Sequence, residues 1–412
     1  MKRNSIAVLA AIAAVTGAMA AAPARAQSDG TLQERVRAME QQLQELKKRL
    51  ETTQRVAERA RTEAGSEARR NIKWHLGGFA VADYRATDKE GDSDQFGAAK
   101  FNPIFLIGYK DLVFFEGELE IEAGSDGGTE TVLEFGNLNV NATDWLTVTA
   151  GKFLSPLGDF QQHLHPAWIN KLPDRPAGFA GGGAEHLSEI GVMVRGAFPV
   201  GSMTMDYAAF VGNGPRLASD ANDGVTLKAF GGDLNEDKAY GGRVGLRPLP
   251  YLNVGLSGML ATLKGNQGAG GLVTSGDYDM VVGDAAFTRG NWNIRGEYIR
   301  AHLDSLNSAV DSDSTTTLIP SSTWRAWYLQ AAYRLAGISS NPILKNVEPV
   351  IRYSQFHVTG LSNFKTNEED RWAFGLNYWI APSAVAKVAY ESKDFHNKSD
   401  EDVFRAQIAF GF

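Results

Sequence analysis

From residue 71 to residue 412 the chain alternates apolar and polar residues in runs of about ten, separated by breaks rich in Gly, Asp and Asn. A period of two marks a strand whose two faces meet different surroundings. The clearest run is 112–122, where Val113, Phe115, Leu119 and Ile121 alternate with Glu116, Glu118, Glu120 and Glu122. Taken alone, this run suits a soluble sandwich with the carboxylates outside or a barrel with them inside. The number of runs separates the two. They fall near 74–85, 98–109, 112–122, 130–141, 144–154, 187–199, 202–213 and 238–248, then near 251–263, 277–288, 291–303, 322–335, 346–358, 369–380, 383–393 and 401–412. That is sixteen, an even number, and a tilted strand of about 9–11 residues crosses a bilayer. The expected fold is an all-β transmembrane barrel of about 16 antiparallel strands over residues 71–412.

The connections support this reading. Tight turns at Lys110-Asp111, Val200-Gly201, Gly290-Asn291 and Ala381-Pro382 alternate with longer polar loops at 86–97, 214–237 and 304–321, and residues 336–345 form one longer turn on the short side. Short turns on one side and long loops on the other are the rule in bacterial outer-membrane barrels. Sixteen strands then put both barrel ends on the short-turn, periplasmic side. The last run carries Phe404, Ala406, Ile408, Phe410 and Phe412 on one face, the amphipathic ending with a closing aromatic by which barrel families are recognised during assembly.

Residues 1–26 read as a secretory signal: Lys2 and Arg3 supply a positive start, 6–22 an apolar stretch, and Ala24-Arg25-Ala26 a small-x-small cleavage site. No later window approaches the roughly 20 continuous apolar residues of a membrane helix. The absence of cysteine excludes a disulfide scaffold and thiol catalysis. A net charge of −7 argues against nucleic acid as a partner. Within residues 27–70, residues 31–60 hold a heptad pattern, with Leu32, Met39, Leu46, Thr53 and Ala60 at one core position and Val36, Leu43, Leu50 and Ala57 at the other. The expectation is a parallel coiled coil in the periplasm, hence an oligomer, loosening at Gly65-Ser66; a single amphipathic helix lying on another surface is the alternative.

Strand parity assigns charges to the inner face. Arg195, Arg243, Arg247, Arg295, Arg352, Arg371, Lys387 and Arg405 form a basic set opposite the acidic ladder Glu116, Glu118, Glu120 and Glu122, with Asp206, Glu297 and Glu391 scattered. A basic wall facing an acidic one gives a transverse field across a lumen. The same side chains are equally able to pair with one another and brace the wall. Unneutralised guanidinium groups would favour anions such as carboxylate or phosphate, which they hold bidentately.

The stretch from Phe135 through Gly151-Lys152-Phe153-Leu-Ser-Pro156-Leu-Gly158 resembles the phosphate-selective porin O and P family, whose strand-turn-strand ends in a Gly-Lys/Gln-Phe-x-x-Pro-x-Gly signature. Val211-Gly-Asn-Gly-Pro215 and the hairpin from Gly375 to Tyr390 are similar to strands of that family. The likeness is patchy over 71–412. It implies a homotrimeric sixteen-stranded porin, but the arginine rows and lysine cluster behind phosphate specificity do not align residue by residue. A subgroup with an N-terminal periplasmic coiled coil takes up dicarboxylates. The longest loop, 155–186, follows the fifth strand, as the infolded constriction loop does in trimeric porins. It carries His163, His165, Trp168, Lys171, Asp174, Arg175, Glu185 and His186, with Gly181-Gly182-Gly183 permitting a tight fold. Lys171 and Arg175, with His163 and His165, are the expected constriction residues.

His163-x-His165 with Glu185-His186 offers metal-capable ligands, but loop histidines at this spacing are more often solvated or hydrogen-bonded. A titrating histidine at a constriction would make conductance sensitive to pH near 6. No metal or cofactor is expected. The functional expectation is an outer-membrane diffusion channel, not an enzyme, passing small hydrophilic solutes with a lean to anions, phosphate or dicarboxylates. Its partners would be outer-membrane lipid, further copies of itself and, through the coiled coil, the cell wall. The rivals are a structural anchor that tethers the envelope through the coiled coil, and a barrel enzyme. No serine or aspartate sits in a recognisable catalytic spacing.

Overall fold

The computed structural model describes residues 32–412 except 98, 125–126, 181, 221–223, 229–235, 311–313, 362–363 and 365. The expected signal segment, residues 27–31 and Gly181 lie outside the described residues. Two compact units divide at Arg70 and Asn71. The first contains helix α1, Leu32–Asn71. Its heptad leucines Leu43, Leu46 and Leu50 are exposed in a single copy. The helix continues through Gly65-Ser66, the point at which the sequence suggests a loosening. A lone Gly in a helix costs about 1 kcal/mol relative to Ala, which flanking Glu, Ala and Arg can absorb.

The second unit is built on sixteen long strands: β1 Ile72–Thr87, β2 Lys100–Tyr109, β3 Val113–Ala123, β4 Thr129–Thr143, β5 Leu146–Leu154, β6 Ser188–Val200, β7 Met203–Gly212 and β8 Ala239–Leu249, then β9 Leu252–Lys264, β10 Ser275–Arg289, β11 Trp292–Leu303, β12 Ser322–Tyr333, β13 Val347–Thr359, β14 Glu369–Ala381, β15 Ala384–Phe395 and β16 Glu401–Gly411. With the two-residue strand Gln95–Phe96 they form one sheet. Each long strand pairs antiparallel with its neighbour in sequence. Strand β1 then pairs with β16, from Phe79↔Gly411 to Thr87↔Val403, and this ladder closes the ring. Closure leaves no unpaired edge, the condition for β-structure in lipid. Among the described residues no helix is long and apolar enough to cross a membrane, a statement that does not touch strands.

Burial is inverted relative to a soluble protein. The outward faces expose Leu256, Leu260, Leu329, Phe374, Leu376 and Ile408, whereas Arg352, Glu118, Glu297, Glu391 and Lys387 are buried. An apolar outer belt on a closed ring matches a lipid contact surface. Aromatic residues on the outer face pack against one another. Trp292 packs on Tyr333 at a centroid distance of 4.6 Å by the short turns, and midway along its strand Tyr353 lies between Trp327 and Trp372, 5.5 and 4.7 Å away.

The inside is not uniformly polar. Residues 214–237, expected as a longer polar loop, carry a hairpin of Arg216–Asp220 and Gly224–Lys228. Its Leu217, Val225 and Leu227 join one apolar cluster with Phe153, Phe160, Phe179, Met193, Phe210 and Met280. Inward-facing apolar residues near the long-loop end of β5–β7 and β9–β11 thus acquire a packed partner.

Gly151 in β5 has φ +125°, and a Cβ there would lie 2.5 Å from the Gly136 carbonyl oxygen on β4. Only glycine permits this close approach. Gly151→Ala is expected to destabilise the barrel by about 1–3 kcal/mol, measured as a lower temperature for loss of the fast-migrating folded form on gels. An unchanged temperature would show that the ladder yields freely there.

Candidate functional site

Residues 155–187 connect β5 to β6 and touch the wall on several sides of the ring. A loop that contacts opposite sides of a closed barrel runs through its interior. Pro156 and Gly158 of the quoted signature start it, and a short helix α2, Phe160–Leu164, follows. Gly158 has φ +84°, and a Cβ there would collide with the Glu297 carboxylate. The space is needed because Glu297 Oε2 accepts the N–H groups of Asp159 and Phe160 at 2.9 and 3.0 Å, while the Gly158 N–H donates to Ser257 Oγ at 3.0 Å. Buried backbone donors must find acceptors, and the wall of β9 and β11 supplies them.

The far end of the loop is gripped by basic side chains from β13 to β16. Arg352, fully buried, donates to the carbonyls of Asp174 and Arg175 at 3.1 and 3.2 Å. Arg371 reaches the Asp174 carboxylate and the Arg175 carbonyl, both at 3.1 Å, and Arg405 reaches Asp174 at 3.4 Å. Lys387 donates to the Asn170 carbonyl at 2.7 Å and also to that of Ala167. Beneath these contacts, Leu172 packs with Ala332, Val350, Ala373 and Ala389, and Trp168 packs against the group of Phe79, Val385 and Ala409. Half of the eight basic residues singled out by parity therefore meet the loop here.

The other four lie elsewhere on the wall. Arg295 contacts Asp159 at 3.3 Å. Arg243 pairs through two nitrogens with Asp284 and sits 3.9 Å from Asp206. Arg195 reaches Glu116 at 3.4 Å, and Arg247 is exposed. On the acidic ladder, Glu118 is buried and accepts from Asn102 at 2.9 Å, and Lys100 pairs with Glu122 at 2.6 Å and Glu120 at 3.2 Å.

The four residues named for the constriction are each paired separately. Lys171 meets Glu348 at 2.9 Å and lies 4.9 Å over the Trp379 ring. Arg175 donates to Gln161 at 2.9 Å. His163 contacts Asp159 at 2.9 Å and His165 contacts Glu118 at 3.1 Å. His186 pairs with Glu189 at 3.1 Å, so the loop histidines do not converge on a common point. The inward acids Glu297 and Glu348, which anchor the loop, carry no sequence signal beyond their parity.

Titration follows these contacts. The Asp159 hydrogen bond raises His163 above the usual imidazole range despite burial. Burial pushes Asp159 upward, but His163 and then Arg295 and Arg243 outweigh it and hold it below the usual carboxylate range. Burial likewise opposes ionisation of Asp174, and Arg371, Arg405, Lys393 and Arg352 overcome it, keeping that carboxylate charged. Glu185 goes the other way: burial pushes it up to about 8, with Arg175 only partly offsetting.

Between the short-turn side of the loop and the wall of β5–β9 lies a cavity of about 530 Å³. Arg195, Arg243 and Arg247, with His163, face it against Asp206. The side chains of His163, Asp206 and Arg195 are 61, 43 and 37% exposed, so their charges meet solvent.

No protein-family model matches the sequence. An uncharacterized protein of Aquifex aeolicus (strain VF5) is 23% identical over 358 residues, 82% of this chain and 79% of that protein. Among solved structures, the outer membrane channel DcaP of Acinetobacter baumannii superposes with a TM-score of 0.56 at 12% identity, over 83% of this chain and 98% of that one. The anion-selective porin from Comamonas acidovorans gives 0.52 at 12% identity, over 83% and 100%. OmpF of Salmonella typhi gives 0.53 at 13% identity, over 83% and 98%. The chain therefore has the fold of outer-membrane porins.

Glu185 supplies a pH test of loop docking. A carboxyl raised in the folded state contributes stability that is fully present below its unfolded value, about 4.3, and is lost as pH rises through about 8. Trypsin cleavage after Lys171, the loop's basic residue not followed by proline, is expected to accelerate between pH 6 and 8.5 relative to a protease control, and Glu185→Gln is expected to flatten that rise. An equal rise in both proteins would detach the loop from this carboxyl.

Proposed function

We propose that the chain forms a passive outer-membrane channel for small hydrophilic solutes, with a preference for anions of the phosphate or dicarboxylate class. The observation that carries this reading is the cavity of about 530 Å³ beside the infolded loop, where three guanidinium groups and an imidazole face one carboxylate. Arg243 is neutralised by Asp284, Arg195 is partly offset by Glu116 at 3.4 Å while 37% of its side chain stays exposed, and Arg247 is exposed. Guanidinium forks suit carboxylate and phosphate oxygens. The Comamonas acidovorans barrel of similar fold is an anion-selective porin, and the resemblance at Gly151–Gly158 to phosphate-selective porins points the same way.

Residues 1–26 act in this reading as a removed export signal. Helix α1 forms a periplasmic stalk, and three copies join through Leu43, Leu46 and Leu50, which are exposed in one copy. Wall charges divide between two tasks. Arg352, Arg371, Lys387 and Arg405 hold the loop, and Arg195 and Arg247 set the field.

Reversal potentials in asymmetric salt test the preference. Loss of one unit charge about 7 Å from the ion path is worth roughly 0.6 kcal/mol in a watery lumen, a two- to threefold change. Because the two ions respond with opposite sign, Arg247→Ala and Arg195→Ala are each expected to reduce the chloride-to-potassium permeability ratio by about the square of that factor, roughly four- to ninefold. A wild-type channel that passes potassium better than chloride would overturn the anion preference, and absence of conductance from folded protein would overturn the channel. Removing 32–70 is expected to leave conductance intact and to weaken the trimer in detergent; an unchanged trimer would assign assembly to the barrel alone.

A further inference from the structure

Outside the lumen, near the long-loop rim, three strands bring together His357 on β13, Asp370 on β14 and His396 immediately after β15. The three side chains lie on the outer face: Arg352, Ser354 and Phe356 are the buried inward residues of β13, and Arg371 and Ala373 are those of β14. His357 Nε2 lies 2.9 Å from Asp370 Oδ1, and His396 Nε2 lies 4.0 Å from Asp370 Oδ2. The imidazole rings meet edge to face at 4.5 Å. One ligand atom from each residue can be chosen so that all lie within 4.8 Å of one another.

We propose that His357, Asp370 and His396 form a binding site for a divalent transition-metal ion of the zinc class on the outer rim of the barrel. Two imidazoles and one carboxylate are a ligand set suited to such ions and leave positions open for water or another oxygen ligand. Bonds of about 2.1 Å in tetrahedral geometry place ligand atoms about 3.4 Å apart. The two imidazoles lie 2.9 and 4.0 Å from the two oxygens of the Asp370 carboxylate, and one ligand atom from each residue lies within 4.8 Å of the others, so side-chain rotations can bring the cluster to that spacing.

Three further features favour a cation here. The His396 N–H donates to the Glu368 carbonyl at 3.2 Å, which fixes the loop that presents the ring. Glu368 brings its carboxylate to 4.0 Å from His396 Nδ1. Asp394 is opposite Asp370 in the β14–β15 register. Arg325 opposes His357 across β12–β13, so three carboxylates stand against one guanidinium. Bound metal would cross-link the loop-side ends of β13 and β14 to the start of the next loop.

Binding is read by titrating zinc chloride, after chelator treatment, into the full-length protein folded in detergent. The expected result is one ion per chain, with affinity lowered at least about tenfold by His357→Ala or His396→Ala. His75→Ala, on β1, is expected to bind as wild type. His396 lies beyond the ladder, so its replacement keeps the test available if the strand variant folds poorly. A visible absorption band of tetrahedral cobalt(II), lost in His396→Ala, would confirm imidazole coordination. No saturable zinc binding, or equal binding by wild type and His396→Ala, would overturn the proposal.

Discussion

The ladder between β1 and β16 is the contact on which everything else rests. A sheet of sixteen strands left open would present two rows of unpaired N–H and C=O groups, and hydrocarbon offers no water to satisfy them. Closure by the pairs from Phe79↔Gly411 to Thr87↔Val403 removes both rows and fixes an inside and an outside. Every residue's environment then follows from its parity. Leucines and phenylalanines such as Leu260 and Phe374 are exposed because they face outward, and Arg352 and Glu391 are buried because they face inward. The same closure creates a lumen that one chain segment can enter.

Entry of residues 155–187 changes what the inward charges do. A loop that brings backbone groups into a confined interior must have them paired, and charged side chains are the strongest partners available. Glu297 takes two N–H groups at one end, and Arg352, Arg371 and Lys387 take carbonyls at the other. Breaking one partner of a buried charged contact typically costs about 3–5 kcal/mol. The loop is consequently held as part of the wall, and the cavity on its short-turn side keeps Arg195, Arg247 and Asp206 in contact with solvent.

The strands were legible in the sequence because two media enforce the alternation. The expected run 112–122 became Val113–Ala123, and 369–380 became Glu369–Ala381. The interior was not legible to the same depth. Leu157, Phe160, Leu164, Leu172 and Phe179 are packed against the wall, yet within a long loop they follow no period that would announce a core. The hairpin at 216–228 was hidden for the same reason. Parity named Arg352 and Lys387 as inward, but it carries no information on which backbone oxygens they would meet.

The histidines show where one-dimensional reading stops. His163 and His165 are two residues apart and stand out as a pair, but the turn of α2 sends one to Asp159 and the other to Glu118. His357 and His396 are far apart in sequence and give no such signal. Antiparallel register is what unites them: Phe356 pairs with Glu369 across β13–β14, and Glu369 pairs with Phe395 across β14–β15. The neighbours of those positions, His357, Asp370 and His396, therefore gather at one corner of the rim. In a barrel, proximity is a property of the ladder, and a candidate site read from spacing along the chain becomes testable only once that register is known.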